Sequence, residues 1–77
     1  MKILYTDKGA RYFDAVGEEI HAGDTVFLNG REEIVCPIEC EGIYNAYLGT
    51  NPAWIKSGRV YQFNEDDEPM LIRRKER

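Results

Sequence analysis

Short apolar runs separated by glycine, proline and charged residues make up most of this 77-residue chain. No segment carries a long apolar repeat of period 3.6, which is the pattern of an amphipathic helix. The apolar runs are typical of short strands, and the residues between them are typical of tight turns. The predicted strands are residues 2–6, 11–13, 25–28, 31–40, 43–48, 59–63 and 70–73. Gly23 lies in a tight Ala-Gly-Asp turn, where we expect a positive φ.

The dipeptide Asn29-Gly30 lies between two of these runs and predicts a hairpin. A two-residue loop would pair Val26 with Glu33 and place a charge on the apolar face. We therefore expect a three-residue loop with Gly30 in the left-handed region. In that register the inner face carries Val26, Leu28, Ile34, Cys36, Ile38 and Cys40. The outer face carries Phe27, Glu33, Val35, Glu39 and Glu41.

One helical turn is predicted near residues 52–57, because Thr50 or Asn51 can cap it and Pro52 suits a first helical position. Gly58 suits the residue that follows such a turn, and Trp54 would plug one end of a barrel from it. The predicted fold is all-β, either a small SH3-like barrel or a strongly bent β-roll of five to seven short strands. Closing the sheet would hide its edges. We predict one barrel-like domain over residues 1–72 and a basic C-terminal tail over residues 73–77.

The net charge of −4 is unevenly distributed. The last five residues hold four cations and one glutamate, so they carry +3 and leave −7 for the rest. An acidic body repels phosphates, which disfavours nucleic-acid binding by the folded part. No run approaches the ~20 apolar residues of a membrane span. The first apolar run is also too short for a signal peptide, so we expect a cytoplasmic protein that has no contact with a membrane.

The residues that usually carry chemistry are few and scattered. In a continuous strand, Cys36 and Cys40 would lie roughly 13 Å apart, beyond the ~7 Å that a disulfide allows. Only His21 could join them as a zinc ligand, so we expect reduced core cysteines and no metal. His21 has no nucleophile motif near it, and the carboxylates occur in runs on turns. No phosphate-binding or calcium-binding loop is present. We expect no catalytic activity and no cofactor.

Nine aromatic residues are many for so small a domain. About half should point outward in a barrel, and exposed tyrosines suit the recognition of proteins or single-stranded nucleic acids. The predicted partner-binding residues are Tyr44, Tyr47, Tyr61, Arg73, Arg74 and Lys75.

Two segments resemble known families. The segment D-A-V-G-E-E-I-H-A-G-D-T-V, from Asp14 to Val26, resembles the opening signature of YopX-like phage proteins. The segment L-G-T-N-P-A-W-I-K-S-G-R, from Leu48 to Arg59, is similar to part of short uncharacterised proteins from mobile elements of Gram-positive bacteria. The resemblance covers about a third of the chain. It implies a small β-barrel and a phage or mobile-element setting, and it carries over no functional residues.

Three functions remain open from the sequence. The first is a non-enzymatic interaction module that binds another protein through an acidic, tyrosine-bearing face. The second is a nucleic-acid accessory protein that uses the basic C-terminal tail and exposed tyrosines. The third is an acidic decoy that occupies a nucleic-acid-binding protein. The sequence leaves the oligomeric state open.

Overall fold

The fold is all-β throughout residues 1–7, 9–36, 53–56 and 59–75, which are the residues that the computed structural model describes. These residues contain no helix, and hence no helix long and apolar enough to cross a lipid bilayer. The strands are β1 (Lys2–Thr6), β2 (Gly9–Phe13), β3 (Glu19–Ile20), β4 (Thr25–Leu28), β5 (Arg31–Val35), β6 (Ala53–Lys56), β7 (Arg59–Gln62) and β8 (Met70–Arg73). The predicted all-β class is confirmed, although the eight described strands exceed the expected five to seven.

The described strands form two antiparallel sheets, one with the order β1-β2-β3 and the other with the order β7-β6-β5-β4-β8. Strand β8 pairs with β4, so the last described strand lies beside one from much earlier in the sequence. Neither sheet closes on itself within the described residues, so the structure does not show a closed barrel.

One hydrophobic core lies between the two sheets. Alternate residues of each strand point toward it, as the period of two in a strand requires. The three-stranded sheet contributes Tyr12 and Ile20. The buried residues of the core are Tyr12, Ile20, Val26, Leu28, Val35, Trp54 and Phe63. Trp54 therefore belongs to the core, as predicted.

The β4–β5 hairpin has a two-residue loop, so the predicted three-residue loop is wrong. Leu28 pairs with Arg31 across the loop. Asn29 has a φ of 53° and Gly30 a φ of 80°, which are the two positive values of a type I′ turn. Gly30 is left-handed as expected. An Asn-Gly pair adopts this turn at little cost and its twist matches that of the strands, so the turn determines the register.

This register shifts every side chain of β5 to the face opposite the predicted one. Glu33 pairs with Val26 and lies on the inner face, where it is 7% exposed. Val35 is fully buried instead of outward, and Ile34 is 50% exposed instead of buried. Phe27 lies on the outer face as predicted, with 45% of its surface exposed. A one-residue slip in a strand has this consequence because side chains alternate between faces.

The predicted helical turn is wrong over residues 53–56, which form β6. A six-residue helix forms too few hydrogen bonds to offset the cost of its nucleus, so local capping signals do not secure it. As a strand, the same residues gain two partners. Trp54 pairs with Val35 on β5 and with Tyr61 on β7. Pro52 and Ser57, the ends of the predicted turn, lie outside the described residues.

Candidate functional site

The predicted tyrosine-bearing face is only partly within the described residues. Tyr44 and Tyr47 lie outside them, as does Cys40. Tyr61 lies on β7, and its ring stacks on that of Trp54 with a centroid distance of 4.8 Å. It is 42% exposed, on the same face of the sheet as Trp54. The structure therefore brings Tyr61 to the rim of the core.

The predicted basic residues contact acidic partners on the body of the domain. Arg73 lies within β8, and its Nη2 donates to Glu32 Oε1 at 3.0 Å. The Arg74 side chain donates from Nη2 to Glu18 Oε2 at 2.7 Å and from Nη1 to the backbone oxygen of Glu19 at 3.1 Å. Each arginine charge therefore lies beside a carboxylate of the same chain.

Asp14 connects the two sheets through a buried carboxylate that is 4% exposed. Its Oδ1 accepts hydrogen bonds from the amides of Val16 at 3.1 Å and Glu18 at 2.8 Å, within the turn before β3. Its Oδ2 accepts one from the amide of Leu71 on β8 at 3.1 Å. The side chain thereby accepts hydrogen bonds from two amides of the local turn and joins this turn to a residue 57 positions away in the sequence.

Asp24 makes the same kind of connection on the other side of β3 and is 3% exposed. Its Oδ2 accepts from the amide of His21 at 2.9 Å, and its Oδ1 accepts from the amide of Lys75 at 2.9 Å. We call Asp14, Asp24 and Arg74 the seam, because their side chains join β8 to β3 and its flanking turns. The sequence predicted Arg74 as a partner-binding residue and did not single out Asp14 or Asp24, although Asp before a turn is a signal for local capping.

Gly23 lies at the seam and supports a prediction about backbone strain. Its φ is 92°, which has the positive sign that the sequence predicted. A Cβ at this position would collide with the Lys75 side chain. Gly17 has a φ of 90° with open space around it. We expect Gly17→Ala to cost about 1 kcal/mol of unfolding free energy through strain alone. Gly23→Ala should cost more, because Lys75 must also move.

Urea denaturation of both variants measures this difference. Equal losses for the two variants would show that the Lys75 stem does not rest on Gly23.

His21 is exposed and lies beside a shallow cleft of about 300 Å³ at the seam. Its Nε2 lies 3.7 Å from Glu19 Oε1, and its Nδ1 lies 3.9 Å from Asp24 Oδ2. The cleft is lined by His21, Ala22, Asp24, Arg74 and Lys75. Both oxygens of Asp24 already accept backbone hydrogen bonds, which makes this carboxylate a structural acceptor. Within the described part of the chain, no three acidic, histidine or cysteine side chains are grouped as metal ligands would be.

The ion pair of Glu19 and Arg11 predicts an acid-sensitive contribution to stability. The Arg11 guanidinium donates two hydrogen bonds to the carboxylate, at 2.9 and 3.0 Å, and this holds the pKa of Glu19 below its ordinary value of 4.5. A lowered folded pKa adds stability that is fully present above the unfolded pKa and is lost as pH falls through the folded value. We expect Glu19→Gln to be less stable than the wild type at pH 7.

The two proteins should unfold at the same urea concentration once Glu19 is protonated, well below pH 4. A stability difference that persists unchanged at that pH would contradict the assignment. The effect at pH 7 is small, because the pair is solvent-exposed.

The outer face of the five-stranded sheet carries a continuous line of apolar side chains. Met70 pairs with Phe27, and Ile34 lies two residues diagonally from Phe27 across the β4–β5 ladder. Ile34 pairs with Ile55, which pairs with Val60. Directly paired side chains on one face lie about 5 Å apart, and diagonal neighbours about 7–8 Å apart remain within reach of an aromatic side chain such as Phe27. We call Met70, Phe27, Ile34, Ile55 and Val60 the outer strip.

The outer strip is exposed at one end and buried at the other. Met70, Phe27 and Ile34 are 56%, 45% and 50% exposed, whereas Ile55 and Val60 are half-buried. Beyond them, Cys36 and Ala53 form a small buried cluster with Val60 on the same face. Cys36 is therefore buried as predicted, but on the side of the sheet opposite the main core. The ion pair of Glu32 and Arg73 borders the exposed end.

Comparisons with protein-family models, curated proteins and solved structures found no match for this chain. The resemblance to YopX-like proteins therefore stays a prediction.

Proposed function

We propose that this chain is a small non-enzymatic interaction module that binds another protein through the exposed end of the outer strip. The proposal is supported by one observation above all. Three large apolar side chains on adjacent strands, Met70, Phe27 and Ile34, leave about half of their surface in water. Single exposed apolar residues are normal, but a contiguous group bordered by polar residues is typical of interaction sites.

The border of this group suits a protein partner. Protein interfaces place apolar side chains at the centre and polar or charged side chains at the rim. Phe27 lies at the centre, directly across from Glu32, whose carboxylate is paired with Arg73. A partner that covers the apolar centre would leave this ion pair at the rim, where it stays hydrated.

The wider setting is proposed on the sequence alone. The resemblance of two segments to phage and mobile-element proteins supports such an origin and a barrel-like arrangement of the strands. The acidic composition and the absence of a long apolar run support a cytoplasmic location.

Nucleic-acid binding through Arg73, Arg74 and Lys75 is the less favoured function, because both arginines already have carboxylate partners. A phosphate would have to displace Glu32 or Glu18, and it would approach an acidic body. We expect dissociation constants weaker than ~100 μM for duplex and single-stranded oligomers near physiological salt.

Fluorescence anisotropy on the wild type and an Arg73→Gln/Arg74→Gln variant measures this. Micromolar binding by the wild type that the double variant loses would promote the nucleic-acid function. Truncation after Ile72 is a poorer test, since it also removes the hydrogen bond from Lys75 to Asp24.

Affinity capture with matched variants tests the protein-binding function. The wild type, Phe27→Glu, Ile34→Glu and Tyr5→Glu are used as baits in bacterial lysate. Tyr5 is the control, because it is 72% exposed and lies on β1 in the three-stranded sheet, whereas the outer strip lies on the five-stranded sheet. Thermal melts first confirm that all four are folded.

We expect one partner to be retained by the wild type and Tyr5→Glu and to be lost from both strip variants. Retention by all four baits, or loss from Tyr5→Glu alone, would contradict binding at the outer strip.

A further inference from the structure

The edge strands of the two sheets differ in whether side chains hydrogen-bond to their outward backbone groups. Among the described strands, the edge strands are β1, β3, β7 and β8. The amide of Leu71 on β8 donates to Asp14, and the carbonyl of Glu19 on β3 accepts from Arg74. Buried or charged side chains thus hydrogen-bond to backbone groups that another strand would need for pairing. These two edges are closed to further pairing.

The edge of β1 has its backbone groups directed outward at Ile3 and Tyr5. Strand β2 pairs with β3 through Tyr12, and the amide of Asp14 donates to Glu18 in the same ladder. Even-numbered residues of β2 therefore face β3, and its odd-numbered residues face β1. Those odd residues pair with Lys2, Leu4 and Thr6. Ile3 and Tyr5 consequently point their N–H and C=O groups away from the sheet, and no described residue pairs with them.

Apart from Lys2 at its start, strand β1 lacks the features that usually prevent edge pairing. Its five residues keep an unbroken register with β2 and contain neither a proline nor a charge between Lys2 and Thr6. Leu4 is 41% exposed and Tyr5 is 72% exposed. Proteins normally protect such an edge with charge, proline, a bulge or a short strand. Among the described residues, side chains close the edges of β3 and β8, whereas no strand lies beyond β1. At the N-terminal end of β1, the ammonium group of Met1 donates to the backbone oxygen of Asp67 at 2.7 Å.

We infer that β1 pairs with β1 of a second copy, antiparallel about a two-fold axis at Leu4. The outward groups permit hydrogen bonding only between odd-numbered residues, so Ile3 of one copy faces Tyr5 of the other. In that register Leu4 meets Leu4 and Lys2 faces Thr6, so no like charges lie directly opposite each other. This self-complementarity is what a two-fold interface requires, and it argues for a second copy. The product is a six-stranded sheet.

The association is weak, because two five-residue strands bury less surface than a standard interface. Dimer formation should therefore depend on protein concentration. It is independent of the outer strip, which lies on the other sheet.

Amide hydrogen exchange followed by NMR tests the pairing at single residues. We expect the amides of Ile3 and Tyr5 to exchange more slowly at about 1 mM protein than at about 20 μM, because they become hydrogen-bonded in the dimer. The amide of Leu4 is the internal control, since its pairing with Arg11 protects it at both concentrations. Equal exchange of Ile3 and Tyr5 at both concentrations would overturn the proposal.

A proline at position 5 provides the second test. Tyr5→Pro removes an outward N–H without removing a β1–β2 hydrogen bond, and edge strands tolerate proline at such positions. Analytical ultracentrifugation should show a concentration-dependent mass above 8.9 kDa for the wild type and its loss in Tyr5→Pro. Tyr5→Ala keeps the N–H and should retain most of the association.

A dimer that survives Tyr5→Pro but is lost in Gln62→Pro would assign the contact to β7 and overturn the proposal. If Tyr5→Pro fails to fold, the exchange of Ile3 and Tyr5 in the wild type decides alone.

Discussion

Trp54→Ala is expected to destabilise the domain by about 3–5 kcal/mol, close to the whole stability of a chain this size. The side chain is 7% exposed and belongs to the core between the sheets. Its removal leaves a cavity beside Val35 and deprives Tyr61 of its stacking partner. Urea denaturation followed by circular dichroism measures the loss. Trp54 is the only tryptophan, so its emission in the wild type should be blue-shifted.

Trp54→Phe separates packing from hydrogen bonding. The indole Nε1 has no hydrogen-bond partner among the described residues, so its loss should cost little. Phenylalanine keeps an aromatic ring against Tyr61, and we expect less than about half of the alanine effect. Water-like emission from the wild type, together with a normal melt of Trp54→Ala, would place the indole on the surface and contradict the core.

Asp14→Ala is expected to cost about 2–4 kcal/mol, because it leaves three backbone amides without their acceptor. Two of these amides, from Val16 and Glu18, belong to the turn before β3. The third, from Leu71, belongs to β8, so the loss also separates the sheets at the seam. Urea denaturation measures the total loss of unfolding free energy. Hydrogen exchange of the Leu71 amide gives the seam contribution, because that proton should exchange faster in the variant.

Two variants serve as controls for Asp14→Ala. Asp66→Ala removes the same charge from an exposed position and should change stability by less than about 0.5 kcal/mol. Asp14→Asn keeps one acceptor oxygen for the turn and should lose mainly the bond to Leu71, so its cost should be intermediate. Equal stability of Asp14→Ala and Asp66→Ala would contradict a structural role for this carboxylate.

The strands themselves were largely predictable, because their signal is local. The apolar runs at residues 2–6, 25–28 and 70–73 coincide with β1, β4 and β8. β6 was missed because proline, a capping residue and glycine around residues 52–58 favour a helical turn locally. Pairing of Trp54 with both neighbouring strands outweighs that preference. Such pairing between distant segments cannot be read from a single run of residues.

The outer strip was not predictable, because it depends on one register. The three-residue loop was predicted because it keeps Glu33 out of the core. The Asn29-Gly30 turn determined the opposite outcome and brought Ile34 to the surface beside Phe27. The seam was half predictable. Asp before a turn signals capping, but the bond from Leu71 spans 57 residues of sequence and has no local signal.

Photo-crosslinking from the outer strip tests the proposed function most directly. A benzophenone amino acid replaces Phe27 in one protein and Tyr5 in another, and each is irradiated with the partner retained by the wild-type bait. Both positions are exposed, but only Phe27 lies in the outer strip. We expect a covalent adduct with the partner from position 27 and none from position 5. An adduct from position 5 alone, or equal yields from both positions, would contradict binding at the outer strip.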